Sequence, residues 1–323
     1  MSSSALSFKP GAKSRQTKKG VQLAPKRPVW EEKPTKIGEA AKGVTLTVVV
    51  LLVIVPVYCV VLTSLSPQSS VNIAGGIVLV PHGLTLNAYR EMLGGGVVTR
   101  AMVISLVITA VGTLVSMVVS VFCAYGLSRP RSLGHRWILM TLIATMFFSG
   151  GIIPSFIVVA DIFRGYDQYW SLVLPGAVSA FNILIIRAFY MNTANELIEA
   201  AKLDGASELR ILWSVVLPTS KAVNAVMALF YAVGYWSAFF NVMLYMPADS
   251  SKWTLQYVLY TYVSQGATMP GQNSATTFTG KDMPAPLSLQ MCVVVLTLIP
   301  ILIIYPFVQK HFTKGMLTGA IKG

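Results

Sequence analysis

Residues 199–218 read EAAKLDGASELRILWSVVLP. Between Glu196 and Glu208 lie four of the chain's twelve acidic residues, and the runs on either side carry no charge. The local chemistry is helical. Thr193 and Glu196 have capping-box spacing, and Glu196 and Glu199 suit a helix N-terminus. Leu197 and Ala201 share a face, and Asp204-Gly205 ends the helix, because glycine accepts the left-handed cap. A second helical segment is expected from near Ser207 to Leu217-Pro218. A helix from Glu196 to Asp204 is only ~14 Å long at ~1.5 Å per residue. It cannot cross a hydrocarbon core of ~30 Å, so it lies along the membrane surface or projects from it. Helices that rest on lipid carry Lys/Arg and bulky apolar anchors. This one is acidic, with small Ala200 and Ala201, so it is suited to a protein partner.

The surroundings explain why a membrane enters the argument. Of 323 residues, 54% are hydrophobic and 11% charged, against roughly 25% charged in soluble domains. The mean hydropathy is +0.65. Six apolar runs are long enough to span: about 44–65, 101–127, 137–160, 170–190, 222–246 and 287–308. Pro56, Pro154, Pro175, Pro300 and Pro306 fall inside them, where membrane helices tolerate proline and kinks are expected. Residues 1–43 read as a basic, disordered tail, with no cleavable leader, and 44–323 as one transmembrane domain.

Orientation follows from Lys and Arg. With the N-terminus inside, the internal segments hold 20 of them and the external segments 5. Both termini are therefore expected in the cytoplasm, with the acidic patch of 193–218 on the inner face. The net charge of +13 becomes a topology signal, which removes the case for nucleic acid. Cys59, Cys123 and Cys292 have neither metal nor redox spacing and read as buried hydrophobes. His82, His135 and His311 are scattered, which argues against a membrane-embedded enzyme. A phosphate-binding loop is missing. The nearest stretch, Thr279-Gly280-Lys281-Asp282, has Ala275 where its first glycine belongs.

The quoted stretch resembles the EAA loop of bacterial ABC-importer permeases. That pattern is Glu-Ala-Ala, three residues, Gly, nine residues, Ile, any residue, Leu-Pro. Glu199-Ala200-Ala201, Gly205, Val215 and Leu217-Pro218 match it, with valine replacing isoleucine. The ending, Gln309-Lys310-His311-Phe312, Lys314-Gly315 and Gly319 to Gly323, resembles carbohydrate permeases of the maltose type. Ser149-Gly150-Gly151-Ile152-Ile153-Pro154 resembles a subgroup handling oligosaccharides.

The resemblance implies an all-α integral membrane fold of the type I importer kind, with six spans and a cytoplasmic coupling helix. It implies residence in the bacterial plasma membrane and partnership with a sister permease as a heterodimer, with two ATP-binding cassette subunits and with an extracytoplasmic solute-binding protein. Glu199, Ala200, Ala201, Asp204, Gly205, Leu217 and Pro218 would couple to the ATPase, and Lys314, Gly315 and Lys322 would touch it. This chain would bind no cofactor or metal, since ATP and Mg belong to the partner ATPases. The cargo would be a sugar or oligosaccharide, acidic ones included, and permeases for amino acids or peptides share related loops. Candidates for the solute path are Asn182, Tyr231, Tyr235, Trp236 and Asn241, polar and aromatic groups within the spans. The bland alternative is an interfacial aromatic belt and helix-to-helix hydrogen bonds. The aromatic third outer loop (Trp253, Tyr257, Tyr260, Tyr262, Phe278) is expected to probe the binding protein.

Overall fold

The computed structural model describes residues 35–129, 134–192, 195–265 and 285–320, and these are helical with short connections. Residues 1–34 of the expected tail, Thr193, the outer-loop residues 266–284 and Lys322 lie outside the described residues. The chain divides into two units at Ile54. The described part of the first is helical from Lys36, with its apolar side chains exposed. The helix begins eight residues before the expected start at Val44, so Lys36–Gly43 is helix rather than tail.

That helix, α1 (Lys36–Ser64), runs on into the second unit. It is followed by α2 (Gln68–Ala74) and α3 (Asn87–Gly94) in the first outer loop. The 32-residue α4 (Val97–Ser128) is the second span. Next come α5 (His135–Phe147), α6 (Ile152–Phe156), which continues as a π-turn over Ile157–Ile162, and α7 (Trp170–Val173) with a 3-10 turn to Gly176. Then follow α8 (Ala180–Asn192), α9 (Asn195–Leu203), α10 (Glu208–Ile211) and α11 (Leu217–Thr219). Finally come α12 (Lys221–Trp236), α13 (Phe240–Tyr245), α14 (Leu255–Gln265) and α15 (Pro286–Ala320).

Among the described residues, three helices, α1, α4 and α15 to Pro306, are each long and apolar enough to cross a bilayer unbroken. Pro56 and Pro300, where kinks were expected, do not interrupt them. The expected fourth span is two pieces, Trp170–Gly176 and Ala180–Asn192, bent by 49°. Pro175 sits in the 3-10 turn that ends the first piece, just before the break, where it lacks an N–H for the helix ladder. The expected third span is also divided: residues 148–151, including Gly150 and Gly151, are not helical. Glycine weakens a helix interior by about 0.5–1 kcal/mol. The expected fifth span ends at Trp236 and resumes as α13, so Asn241 belongs to a separate short helix.

The packing centre of the second unit is α4, against which α12, α8 and α14 lie. Its buried face reads Ala101, Ser105, Ile108, Gly112, Ser116, Ser120, Ala124, a stripe at three- and four-residue spacing. Small residues let membrane helices approach closely. Gly112 is where this is tightest: a Cβ there would stand 2.8 Å from the Tyr235 ring. At Gly126 on the same helix a Cβ would meet nothing within 4 Å. Gly112→Ala is therefore expected to destabilise the subunit by about 1–3 kcal/mol through overpacking. Gly126→Ala should stabilise it by about 0.5–1 kcal/mol, the ordinary helix-interior effect. Thermal unfolding of the two variants in detergent, compared with the parent, checks the opposite signs.

Candidate functional site

The acidic stretch folds as two helical pieces about a tight turn. Helix α9 ends at Leu203, and Gly205 takes φ +74°. Its N–H donates to the Lys202 carbonyl, and the Ala206 N–H donates to the Ala201 carbonyl, both at 3.0 Å. These two bonds are the Schellman pattern, which needs a residue tolerant of left-handed backbone. Ser207 then caps α10: its Oγ accepts from the Arg210 N–H at 3.4 Å. Pro218 has no N–H for the Ser214 carbonyl, and the turn ahead of it, Leu212–Val216, is π-helical. The segment Glu208–Thr219 meets α12 at an angle of 86°, with Ser220 at the corner.

The two faces of this segment differ. Ile198, Ile211, Leu212 and Val216 are buried with residues of α4, α8 and α12, and Ala201, Ala206 and Leu217 pack against them. Glu199, Ala200, Asp204, Gly205 and Pro218 are exposed. Leu203, standing among charges, is 90% exposed. The exposed side thus offers two acids, Glu199 and Asp204, with small residues, a turn and an unburied leucine.

A charged cluster that the sequence reading had not singled out anchors the segment. The Tyr125 hydroxyl, near the end of α4, donates to the Glu208 carboxylate. Lys202 Nζ lies 3.2 Å from Glu208 Oε1, and Arg129 Nε 3.6 Å from Oε2. Arg129 also donates to the Tyr125 hydroxyl at 2.9 Å and lies over its ring at 4.7 Å. The hydroxyl bond, then the Lys202 bond and the two cations, hold the Glu208 carboxyl below its ordinary value of 4.5. The sequence signal was available: Arg129 closes the second span, and Glu208 follows a capping serine.

The candidates for the solute path do not form one set. Tyr231 and Tyr235 are buried, and their hydroxyls bond to Ser120 at 2.6 Å and Ser116 at 2.8 Å. The Trp236 indole N–H donates to the Thr297 carbonyl at 3.2 Å. These three side chains are engaged within the chain. Asn182 is buried on α8 and Asn241 half-buried on α13, and neither side-chain amide bonds to another described residue. In the third outer loop Tyr257 and Tyr262 are buried, and Trp253 donates to the Met246 carbonyl at 3.1 Å. These aromatics pack the loop onto its own chain rather than projecting from it. Lys314 and Gly315 lie on the backbone of α15.

No protein-family model matches the chain. It is 38% identical over 274 residues to the polygalacturonan/rhamnogalacturonan transport system permease protein YtcP of Bacillus subtilis, covering 84% of this chain and 94% of that one. The chain belongs to the permease subunits of sugar ABC importers. The permease is also 28% identical over 296 residues to the multiple sugar-binding transport system permease protein MsmG of Streptococcus mutans, covering 90% of this chain and 100% of the relative. Among solved structures, it matches a crystal structure of a bacterial ABC transporter involved in the import of the acidic polysaccharide alginate. The TM-score is 0.79 at 26% identity, over 88% of this chain and 99% of that one. The expected all-α importer fold is thus established, and the permease is a membrane transport subunit for sugars.

The cluster at Glu208 predicts an acid response. A depressed carboxyl contributes stability fully present above its unfolded value and lost as pH falls through its folded value. The segment 195–210 should stay protected somewhat below pH 4.5, the ordinary carboxylate value, and loosen only at lower pH. In Glu208→Gln the protection should be weaker at neutral pH and lack this step. Hydrogen exchange of these amides across an acid series measures both.

Proposed function

We propose that the permease forms half of the membrane channel of an importer for acidic, uronate-containing oligosaccharides. The observation that carries this is an agreement of two comparisons. The relative matched over 94% of its length is a polygalacturonan/rhamnogalacturonan permease, and the matched structure is a transporter of acidic alginate. Polygalacturonan and alginate are both built of uronates. The outer loops of this chain favour neither sign of charge, since Arg90, Arg100, Arg164 and Lys252 are accompanied by Glu91, Asp161, Asp167 and Asp249. Recognition of the carboxylates therefore falls to the binding protein or the sister permease, with Asn182 and Asn241 of this chain supplying neutral hydrogen bonds along the path.

In this reading the assembly holds a sister permease, two ATP-binding cassette subunits and an extracytoplasmic binding protein. Both termini are cytoplasmic, as the Lys/Arg bias supports. The exposed face of Glu199, Ala200, Leu203 and Gly205 docks on one ATPase, and Lys314, Gly315 and Lys322 extend the contact. ATP and Mg are bound and used by the ATPases. Closure of the ATPases carries the docked segment with it, and the spans alternate between inward- and outward-facing states. The energy enters as a difference in contacts between those states, which requires a docked element stiff enough to transmit force. The Schellman turn and the Glu208 cluster supply that stiffness.

Gly205→Trp or Glu199→Lys should leave the complex assembled but uncouple hydrolysis from uptake. Parent-level uptake by Gly205→Trp would refute the docking role. The cargo is tested by ATPase stimulation in the reconstituted complex. Oligogalacturonates should stimulate and neutral maltooligosaccharides should not, and the reverse order would refute the acidic assignment.

A further inference from the structure

The break in the fourth span poses a chemical problem. Backbone N–H and C=O groups freed within hydrocarbon have no water to bond. Here α12 bonds to two backbone groups that flank the break, one on each side. The Tyr235 hydroxyl donates to the Val173 carbonyl at 2.9 Å, on one side of the break. The Tyr231 hydroxyl accepts from the Ser179 N–H at 3.3 Å, on the other. Each hydroxyl is bonded a second time, Tyr235 to Ser116 and Tyr231 to Ser120. The two tyrosines are one turn apart on α12, and the two serines one turn apart on α4. Two rungs therefore tie α4, α12 and both lips of the break together.

The fit around Tyr235 is close. Its ring lies over Gly112, and its hydroxyl would be 3.4 Å from a Cβ at Gly176, inside the 3-10 turn. A phenylalanine would fill the same space, so volume alone does not account for the hydroxyls. Helix α12 is also the helix into which the coupling segment leads, one residue after α11.

We infer that Tyr231 and Tyr235 are positioning residues that carry the movement of the coupling segment along α12 into the break at 177–179, where the two halves of the fourth span change their angle. The inference rests on the docking role proposed above. A break between two helical halves is a hinge, with the angular change absorbed by few residues. Directional bonds to both lips make that hinge follow α12. Without them the lips keep their packing but lose their registration with α12.

The test uses the full complex with its sister permease and ATPases, with Cys59, Cys123 and Cys292 replaced by alanine. Spin labels are placed at the exposed positions Tyr166 and Phe189, which flank the break. Their separation is measured without nucleotide and after trapping with ATP and vanadate. The parent should show a shift. Tyr231→Phe/Tyr235→Phe should keep assembling and hydrolysing ATP while the shift is lost or smeared into a broad distribution. If the double variant does not assemble, Tyr235→Phe alone is read on the same scale. A full, sharp shift in the phenylalanine variants, or none in the parent, overturns the inference. Gly205→Trp separates the two readings: it should also abolish the shift. If it leaves the shift intact while the phenylalanine variants lose it, the docking role fails and the tyrosine brace stands.

Discussion

Hydrocarbon offers no partner to a peptide group, and this constraint organises the permease. Unbroken helices such as α1 and α4 meet it by themselves. The interrupted spans do not, and they borrow partners from neighbours. The tyrosines of α12 bond to backbone on both sides of the break at 177–179, and the serines of α4 serve the tyrosines. The small-residue face of α4 is what brings these groups within reach, since a Cβ at Gly112 alone would displace the Tyr235 ring. Close approach and backbone satisfaction are thus one design.

At the other end of α12 the medium changes, and so does the chemistry. Water would compete for any single hydrogen bond there, and exposed ion pairs are each worth little. The segment 195–219 is held by several interactions converging on one carboxylate, from Tyr125, Arg129 and Lys202. Behind it a buried apolar patch of Ile198, Ile211, Leu212 and Val216 gives the segment a fixed seat. Glycine appears where the backbone must turn left-handed, and proline where a helical register must be broken.

Much of this was legible in the sequence. The short helix, its glycine stop and the second segment from Ser207 follow from residue types whose backbone preferences are strong. So do the long spans, because runs of twenty apolar residues have few other uses. The breaks were less legible. Pro175 signals a break, but Pro56 and Pro300 carry the same signal inside continuous helices, since tertiary partners decide whether a freed carbonyl is tolerated. Tyr231 and Tyr235 read as candidates for the solute path, against an interfacial aromatic belt. Their bonds between helices depend on Ser116 and Ser120, more than a hundred residues away in sequence. The cluster around Glu208 left only a partial signal, Arg129 at the end of the second span and Ser207 before Glu208, because its pairing joins α4 to α10 across about eighty residues of sequence.

The unburied leucine beside the Gly205 turn has a further consequence. Leu203 is 90% exposed and Leu209 60%, on opposite sides of Gly205. In the docking role proposed above, covering these two side chains would add apolar burial, at about 25 cal/mol per Å², to a contact whose other members are small or acidic.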